Sequence, residues 1–306
     1  MKKIAIYSLT LVAAALSGCR NDGVKNPVEE TIEPDTPILL TSIVTPSRTP
    51  NTDLQKTQLE EGVQIGLFVV HEDNSFKYDN EPLTADGRGY FIGSTLYFPN
   101  EGSVSLYAYA PYNPDWVYGE NDFSVNSDQT EDKGYLDSDL LYAQPIGDNR
   151  FDKNTTKAIS LAHAHKLAKV TVKFNVLDES DLTGATISIL NTLPTVSINT
   201  KDGSLGVAKG SPTAIKAHVS QKAGGEDASV VIVPQSLTGG TPFIRVEKSD
   251  GLKSVEASLN TGVTFAEGKS YTYTINLSAE SASIELASSL DDWSMGGNLQ
   301  GEADEE

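Results

Sequence analysis

The sequence is poor in cysteine and in basic residues. Cys19 is its single cysteine, which excludes a disulfide-stapled secreted domain, because such a framework needs an even number of cysteines. The 23 basic residues are outnumbered by 42 acidic ones, and a surface of that charge repels nucleic acid, so no nucleic-acid partner is expected. Outside the N-terminal region, no apolar run approaches the length of a membrane-spanning helix, which is roughly 20 residues.

Motifs of catalysis are also missing. The sequence has no G-x-S-x-G elbow, no glycine-rich phosphate loop and no H-E-x-x-H pair, which are the local patterns of hydrolases, nucleotide-binding proteins and zinc proteases. With its one cysteine assigned to another role below, the chain is not expected to be an enzyme or to hold a cofactor.

The first nineteen residues carry an export signal. Lys2 and Lys3 precede an apolar run from Ile4 to Leu16, which is too short to span a bilayer and is typical of a secretory signal peptide over residues 1–18. The closing Leu-Ser-Gly-Cys resembles a bacterial lipobox, so cleavage after Gly18 and a lipid on Cys19 are expected. Loss of Lys2 and Lys3 leaves 21 basic residues and changes the formal charge from −19 to −21.

A polar stalk and a short strand follow the lipid site. Residues 19–37 are rich in proline and acidic residues, which predicts a flexible stalk. Ile38 to Val44 predicts a strand with Ile38, Leu40 and Val44 on one face and Leu39 and Ile43 on the other. Pro46 and Pro50 then bracket Arg48; proline interrupts a sheet, so Arg48 is expected in an exposed loop.

From Gln64 onward the pattern is that of β-structure. Short alternating runs rich in β-branched and aromatic residues are separated by Gly, Pro, Asp and Asn, which predicts an all-β fold of two consecutive β-sandwich domains. Both faces of the run 103–112 are apolar, which indicates a central strand between two packed layers. A polar stretch at 147–156 is interpreted as a domain boundary, which predicts domains at 38–156 and 157–306. Residues 113–138 are expected to be mainly loop.

Two clusters of metal-ligand types are weaker candidates. His163 and His165 share one face of a predicted strand, but only two further histidines exist, so packing or hydrogen bonding is favoured over a metal site. Several acidic residues precede them without the spacing of a calcium loop, so a solvated loop is favoured: Asp128, Glu131, Asp132, Asp137 and Asp139. No metal is expected.

Aromatic residues after the central strand leave two interpretations open. Trp116 and Tyr118, near Tyr112, could contact a glycan by stacking on sugar rings. The favoured alternative is that they anchor a loop by packing, because Tyr and Trp usually bury their rings. Trp293 is expected to fill a core.

Several stretches together resemble the fimbrillin family of Bacteroidetes: the lipobox, GVQIGLFVV, VSLYAYAPY, DSDLLYA, LAHAHKLAKVTV, SYTYTINL and a late DDW. The resemblance covers roughly Ile38 to Trp293. It implies two transthyretin-like β-sandwich domains in a lipoprotein precursor that is exposed at the outer membrane, held there through the lipid on Cys19, and becomes a subunit of adhesive surface fimbriae.

The resemblance also implies a mode of assembly. A trypsin-like protease cuts after an arginine past the first strand, and the strand is lost; here that strand holds Ile38, Leu40 and Val44, and the arginine is Arg48. A C-terminal strand of another fimbrial subunit then fills the groove. An ordinary loop arginine is the alternative for Arg48.

The chain departs from this pattern at its C-terminus. After Trp293 only two residues are apolar, so a donor strand would have to come from residues 281–293. Polymerising, anchoring and capping roles all stay open, as does a host or glycan receptor. The alternative function is a monomeric surface lipoprotein that binds glycans.

Overall fold

The computed structural model describes residues 35–44, 58–176, 184–222, 225–247, 254–278, 281–284 and 289–293. Gly18, Cys19 and Arg48, as well as the signal peptide and nearly all of the stalk, lie outside the described residues. The predicted first strand lies within them. In that part of the chain, no helix has the length and apolar character needed to cross a bilayer.

The described chain is built almost entirely from strands, which confirms the predicted all-β class. The elements, numbered in chain order, are β1 Leu40–Val44, β2 Gln64–His71, β3 Phe76–Ala85, β4 Phe91–Ile92, β5 Val104–Ala110, β6 Glu120–Ser124, α1 Asp132–Leu136, β7 Leu141–Pro145, β8 Ile159–His165, β9 Ala168–Val176, β10 Thr186–Thr192, β11 Thr195–Asn199, β12 Thr213–Lys216, β13 His218–Lys222, β14 Gly225–Ile232, β15 Gln235–Leu237, β16 Pro242–Glu247, β17 Ser254–Ser258, β18 Val263–Phe265, β19 Lys269–Leu277, β20 Ala282–Ile284 and β21 Ser289–Asp292.

Residue alternation explains why these segments are strands. In β8, every second residue from Ile159 to His165 is buried and the residues between are half-buried, as expected where successive side chains point to opposite faces. Strand β2 is buried at six successive positions, because layers cover both of its faces.

The first sheet has seven strands in the order β1-β8-β7-β5-β2-β3-β4. Its inner face covers one buried cluster that contains Leu67, Leu106 and Leu161. Its opposite face contributes Phe68 and Tyr109 to a second, larger cluster. Strand β5 thus feeds both clusters, which confirms that it is a central strand between two packed layers.

The remaining strands form four further sheets around the larger cluster. One sheet has the order β12-β10-β16-β17, and another has the order β13-β14-β9-β19-β20 with β21 also paired to β19. Two-stranded pairs β11-β6 and β15-β18 complete the fold. The transthyretin-like detail within this all-β architecture stays a prediction.

The predicted boundary after Thr156 falls between β7 and β8. These two strands pair with each other over five residues, and β8 also pairs with β1. The first sheet therefore continues to His165, nine residues beyond the predicted boundary. Strand β6 pairs with β11 across the same point, and the residues from Asp35 onward belong to one compact unit. The division into domains 38–156 and 157–306 stays a prediction.

Residues 113–138 are more regular than expected from the sequence. They hold β6 and the short helix α1. Strand β6 has a single buried position, Phe123, so the alternation that reveals other strands is too weak here. The helix has one buried residue, Tyr135, and is shorter than the stretch over which helical periodicity can be recognised.

Candidate functional site

Strand β1 has the two faces that its sequence predicts. Ile38, which precedes the strand, and Val44 are buried, and Leu40 is half-buried against the same cluster. On the other face Leu39 is 52% exposed and Ile43 is 38% exposed. Each fully buried aliphatic side chain contributes about 1.5–3 kcal/mol, so the inner face helps to hold this segment in place.

Backbone hydrogen bonds hold β1 on both of its sides. On one side it runs parallel to β8 over five residue pairs, from Leu40↔Ile159 to Val44↔His163. On the other side Ser42 N donates to Gly89 O at 2.9 Å, and Ile38 N donates to Leu96 O at 2.8 Å.

The flanking contacts continue just before the strand. Phe98 N donates to Thr36 O at 2.9 Å, and Pro37 and Thr41 form antiparallel bridges with Tyr97 and Tyr90. Strand β1 therefore closes a gap between β8 and residues 89–98. We call this gap the β1 slot.

An empty β1 slot would be unfavourable for two reasons. Its floor is apolar, and water contact with apolar surface is disfavoured. Its two walls, β8 and residues 89–98, would each present backbone groups that now pair with β1; such an exposed edge invites pairing with another chain. The sequence did not identify residues 89–98 as a wall of the β1 slot. These residues contact β1 through backbone groups, which leave no pattern in the side chains.

His163 lies in the wall of the β1 slot. Its Nδ1 is 3.3 Å from the hydroxyl oxygen of Ser42 on β1, and its ring is fully buried. Burial lowers the pKa of His163 to about 4, against a smaller opposing effect of backbone carbonyls. The ring is therefore neutral at pH 7 while β1 is in place.

His165 belongs to a second contact, between the first sheet and the C-terminal strands. Its Nδ1 is 2.8 Å from Asp139 Oδ1, and its ring stacks on Trp293 at 4.1 Å between centroids, with 7° between planes. Trp293 is fully buried, as predicted for a residue that fills a core. Both histidines thus share a buried face, as expected. Among the described residues, no three His, Cys, Asp or Glu side chains form a group suited to a metal ion.

Three of the acidic residues considered for calcium contact donors of the protein instead. Asp128 accepts hydrogen bonds from Thr130 Oγ1 at 2.6 Å and Lys216 Nζ at 3.1 Å. The Thr130 hydrogen bonds, followed by the one from Lys216, lower the pKa of Asp128 to about 2. Asp137 pairs with Lys133 one helical turn away, and Asp139 pairs with His165.

The aromatic residues proposed for glycan binding pack inward. Trp116 is only 7% exposed, and its ring stacks on Tyr109 with centroids 4.4 Å apart. Tyr118 is half-buried; its ring centroid lies 5.4 Å from that of Tyr107 and 5.2 Å from Lys201 Nζ. A stacking site for sugar needs an open ring face, which the burial of Trp116 does not provide.

Comparison with known proteins identifies the family. A family model described as fimbrillin-like matches residues 48–293. The chain belongs to the fimbrillin-like family. The match begins at Arg48 and ends at Trp293, so it covers most of the described fold and leaves β1 before its first residue. No curated protein matches the chain.

Solved structures share the fimbrillin-like fold. A candidate cell adhesion protein from Bacteroides ovatus is 18% identical with a TM-score of 0.67, covering 87% of this chain and all of its own. Another from Bacteroides uniformis is 23% identical with a TM-score of 0.62, covering 84% of this chain and 99% of its own. A fimbrial protein from Bacteroides vulgatus is 12% identical with a TM-score of 0.50, covering 85% of this chain and 100% of its own. At these identities the likeness concerns the fold.

Proposed function

We propose that this fimbrillin-like chain is a surface adhesin or fimbrial subunit that accepts a strand from a neighbouring subunit in the β1 slot. It is exported as a precursor, cleaved after Gly18, lipidated on Cys19 and held at the outer membrane by that lipid. A trypsin-like protease then cuts after Arg48, and the segment with Ile38, Leu40 and Val44 departs. The fimbrial and cell adhesion proteins that share the fold support the coarse assignment.

The observation that carries the proposal is the position of β1 between two walls. A strand that only lay on an outer edge would leave a single row of backbone groups when removed. Loss of β1 leaves two, one on β8 and one on residues 89–98, above an apolar floor. An incoming strand can form backbone hydrogen bonds on both sides and bury its apolar residues. This is β-augmentation with two rows of hydrogen bonds instead of one.

The C-terminal strands support acceptance of a strand more strongly than donation. Both β20 and β21 pair with β19, and Ile284 and Trp293 are buried. Donation from residues 281–293 would therefore require strands to leave their own sheet. A head-to-tail contact between acceptor and donor makes an open filament.

Limited trypsin digestion tests the proposal. Purified residues 20–306 are expected to yield a product that begins at Thr49 and that no longer retains the segment with Ile38, Leu40 and Val44. The Arg48→Ala variant is expected to give neither result. Arg88→Ala is the matched control, because Arg88 is an exposed arginine in a bend. Mass spectrometry of the new N-terminus is the measurement.

Two results would count against this function. If trypsin leaves the wild-type chain intact at Arg48, the proposed processing step is ruled out. A cut chain that keeps residues 38–44 bound would rule out strand replacement.

A further inference from the structure

The outer face of the first sheet carries a group of exposed apolar side chains. Nine large apolar side chains of the described residues are substantially exposed. Five of these nine lie on or directly beside strands of the first sheet and are between 38% and 64% exposed: Leu39, Ile43, Tyr90, Ile92 and Ile146. Single exposed apolar residues are ordinary, whereas a contiguous group marks a contact surface.

Strand pairing places two of these residues in one row across the sheet. Thr41 pairs with Ser160 on β8 and forms a bridge with Tyr90 on its other side. Ile146 N donates to Ser160 O at 3.1 Å. Residues that pair across neighbouring strands point to the same side of the sheet. The side chains of Tyr90 and Ile146 are therefore on the same side as that of Thr41.

Alternation along the strands adds the other three residues. Leu39 and Ile43 lie two positions before and after Thr41, and Ile92 lies two positions after Tyr90. Residues two apart in a strand point to the same side. The five exposed apolar side chains thus share one side of the sheet, and we call them the outer β1 face.

The outer β1 face is neutral in a strongly charged protein. The positions between its apolar side chains hold half-buried, uncharged residues: Thr41, Gln144, Ser160 and Ala162. Charged residues make up 21% of the sequence and normally lie at the surface. Arg88, an exposed residue two positions before Tyr90, brings a cation to the margin. An apolar centre with a cation at its edge fits the interface of a bilayer, where phosphate groups lie above the acyl chains.

The outer β1 face is too small to hold a second protein firmly by itself. It extends over four neighbouring chain segments and about five residues along them. A strand spacing of about 4.8 Å and a rise of about 3.3 Å per residue then give an area of roughly 250 Å². A stable interface between two proteins needs about 800 Å² on each side. A contact of this size is effective where another link already holds its partner close.

The chain supplies such a link to a membrane. Leu39 lies four residues after Asp35, the first described residue, and fifteen residues separate Asp35 from Cys19. Even a fully extended chain of that length spans at most about 55 Å. A lipid on Cys19 therefore keeps the outer β1 face close to the bilayer, which raises the effective concentration of one surface near the other.

We propose that the outer β1 face rests on the surface of the lipid bilayer that anchors the precursor. Its apolar side chains enter the interfacial region between headgroups and acyl chains. Leu39 and Ile43 belong to the segment that the proposed processing removes, so loss of that segment takes away the lipid anchor and part of the face together. The anchor and the processing rest on the proposed function, whereas the affinity of the face for a bilayer does not.

Fluorescence quenching on vesicles tests the contact without lipidation or processing. Residues 20–306 carry an N-terminal hexahistidine tag, which binds a nickel-chelating lipid in phosphatidylcholine vesicles and replaces the lipid on Cys19. Phosphatidylcholine is zwitterionic, so its surface does not repel the acidic chain. Brominated acyl chains in the vesicles quench a tryptophan that lies close to them.

The position of the added tryptophan decides the result. Tyr90→Trp reports from the outer β1 face, and Val207→Trp, at an exposed position outside the first sheet, is the control. After subtraction of the wild-type signal, we expect the tryptophan of Tyr90→Trp to be quenched at least about threefold more than that of Val207→Trp, because only the face enters the interface.

Charge on the face should remove the contact. Ile92→Glu combined with Ile146→Glu leaves β1 itself unchanged, and in the Tyr90→Trp background it is expected to lower the quenching about threefold or more, because a carboxylate is costly to place among acyl chains. Val117→Glu combined with Val207→Glu adds the same charge at exposed apolar positions outside the face and should leave the quenching unchanged. Near-UV circular dichroism checks that both variants are folded.

Three results would overturn the inference. They are equal quenching in Tyr90→Trp and Val207→Trp, equal quenching in the two double-Glu variants, and a dimer without vesicles that Ile92→Glu with Ile146→Glu dissociates. In the last case a second copy of the chain would cover the face. An unlipidated Cys19 in cells, or no cutting at Arg48, with the quenching retained would count against the proposed function alone.

Discussion

Two parallel strand pairs occupy different positions in this molecule. Strand β1 runs parallel to β8 over five residue pairs, whereas β19 runs parallel to β9 over eight. Strand β19 is central, with β9 on one side and β20 and β21 on the other. Its inward residues Tyr273, Ile275 and Leu277 are almost fully buried.

Parallel pairing alone does not decide how readily a strand can leave its sheet. Strand β1 is also bonded on both sides, but one of its walls is the irregular segment 89–98, and its outer face is open to solvent. It adds a few buried side chains to a sheet that already has six other strands. We expect the molecule to keep a core without β1, whereas loss of β19 would divide the sheet that contains it.

The largest expected effect is at β19. Ile275→Asp places an unpaired charge in an apolar core, which costs several kcal/mol and is a large share of a domain's stability. We expect loss of the folded state, measured by far-UV circular dichroism and thermal unfolding. Thr274→Asp, on the other face of the strand and half-buried, is the control and should remain folded. A cooperative transition of Ile275→Asp at the wild-type midpoint would remove the distinction between β19 and β1.

Substitution of a buried β1 residue by Asp should have a local effect on the structure. Val44→Asp is expected to release β1 while the rest of the chain still unfolds cooperatively, because the other strands keep their partners. Dye binding to exposed apolar surface should increase, and trypsin should cut after Arg48 faster by about tenfold or more. Ile43→Asp, on the partly exposed face, is the matched control. If Val44→Asp unfolded the whole chain, β1 would be as permanent as β19.

Acid should loosen β1 through His163. With β1 in place, burial holds the pKa of His163 at about 4, whereas an ordinary imidazole has a pKa of 6.5. Between these values the released state binds a proton that the closed state does not, so release is favoured as the pH falls from 6.5 toward 4. The effect reaches about 3 kcal/mol at most.

The measurement is the rate of cutting after Arg48 as a function of pH, with a protease whose activity on a reference peptide is known at each pH. His165 also lowers the pKa of His163. His163→Gln should flatten the profile. A wild-type profile that matches the variant would show that His163 does not control β1.

The smallest expected effect concerns one hydrogen bond of the β1 slot. Ser42→Ala removes the contact between the Ser42 hydroxyl and His163 Nδ1, and such a bond contributes about 0.5–1.5 kcal/mol. Release of β1 should become a few times easier, and global unfolding should stay unchanged. Hydrogen exchange of the amides of β1 and β8 measures both. An equal loss of protection in β19 would indicate that the two strands are coupled.

Local pattern was sufficient to predict the faces of the strands. Ile38 to Val44 alternates clearly enough to assign its inner and outer sides, and His163 and His165 fall on one face of β8. Trp293 is also buried, as predicted. In each case neighbouring residues in the sequence hold the whole signal.

The sequence alone did not predict which strands pair with each other. Nothing in β1 indicates that it pairs with β8, more than a hundred residues later, or that residues 89–98 form its second wall. The polar stretch at 147–156 looks like a boundary, but it connects two strands of one sheet. Pairing across such distances is set by tertiary packing, and a single sequence without related sequences carries no direct record of it.

The position of β1 has a mechanical consequence. The chain enters the described fold at Asp35 and reaches β1 within a few residues, so tension applied through the preceding residues arrives first at this strand. Such tension pulls β1 lengthwise against β8 and residues 89–98, and the hydrogen bonds on both sides share the load together instead of opening one after another. A strand bonded in this way on both sides withstands lengthwise pulling better than a strand bonded on one side only.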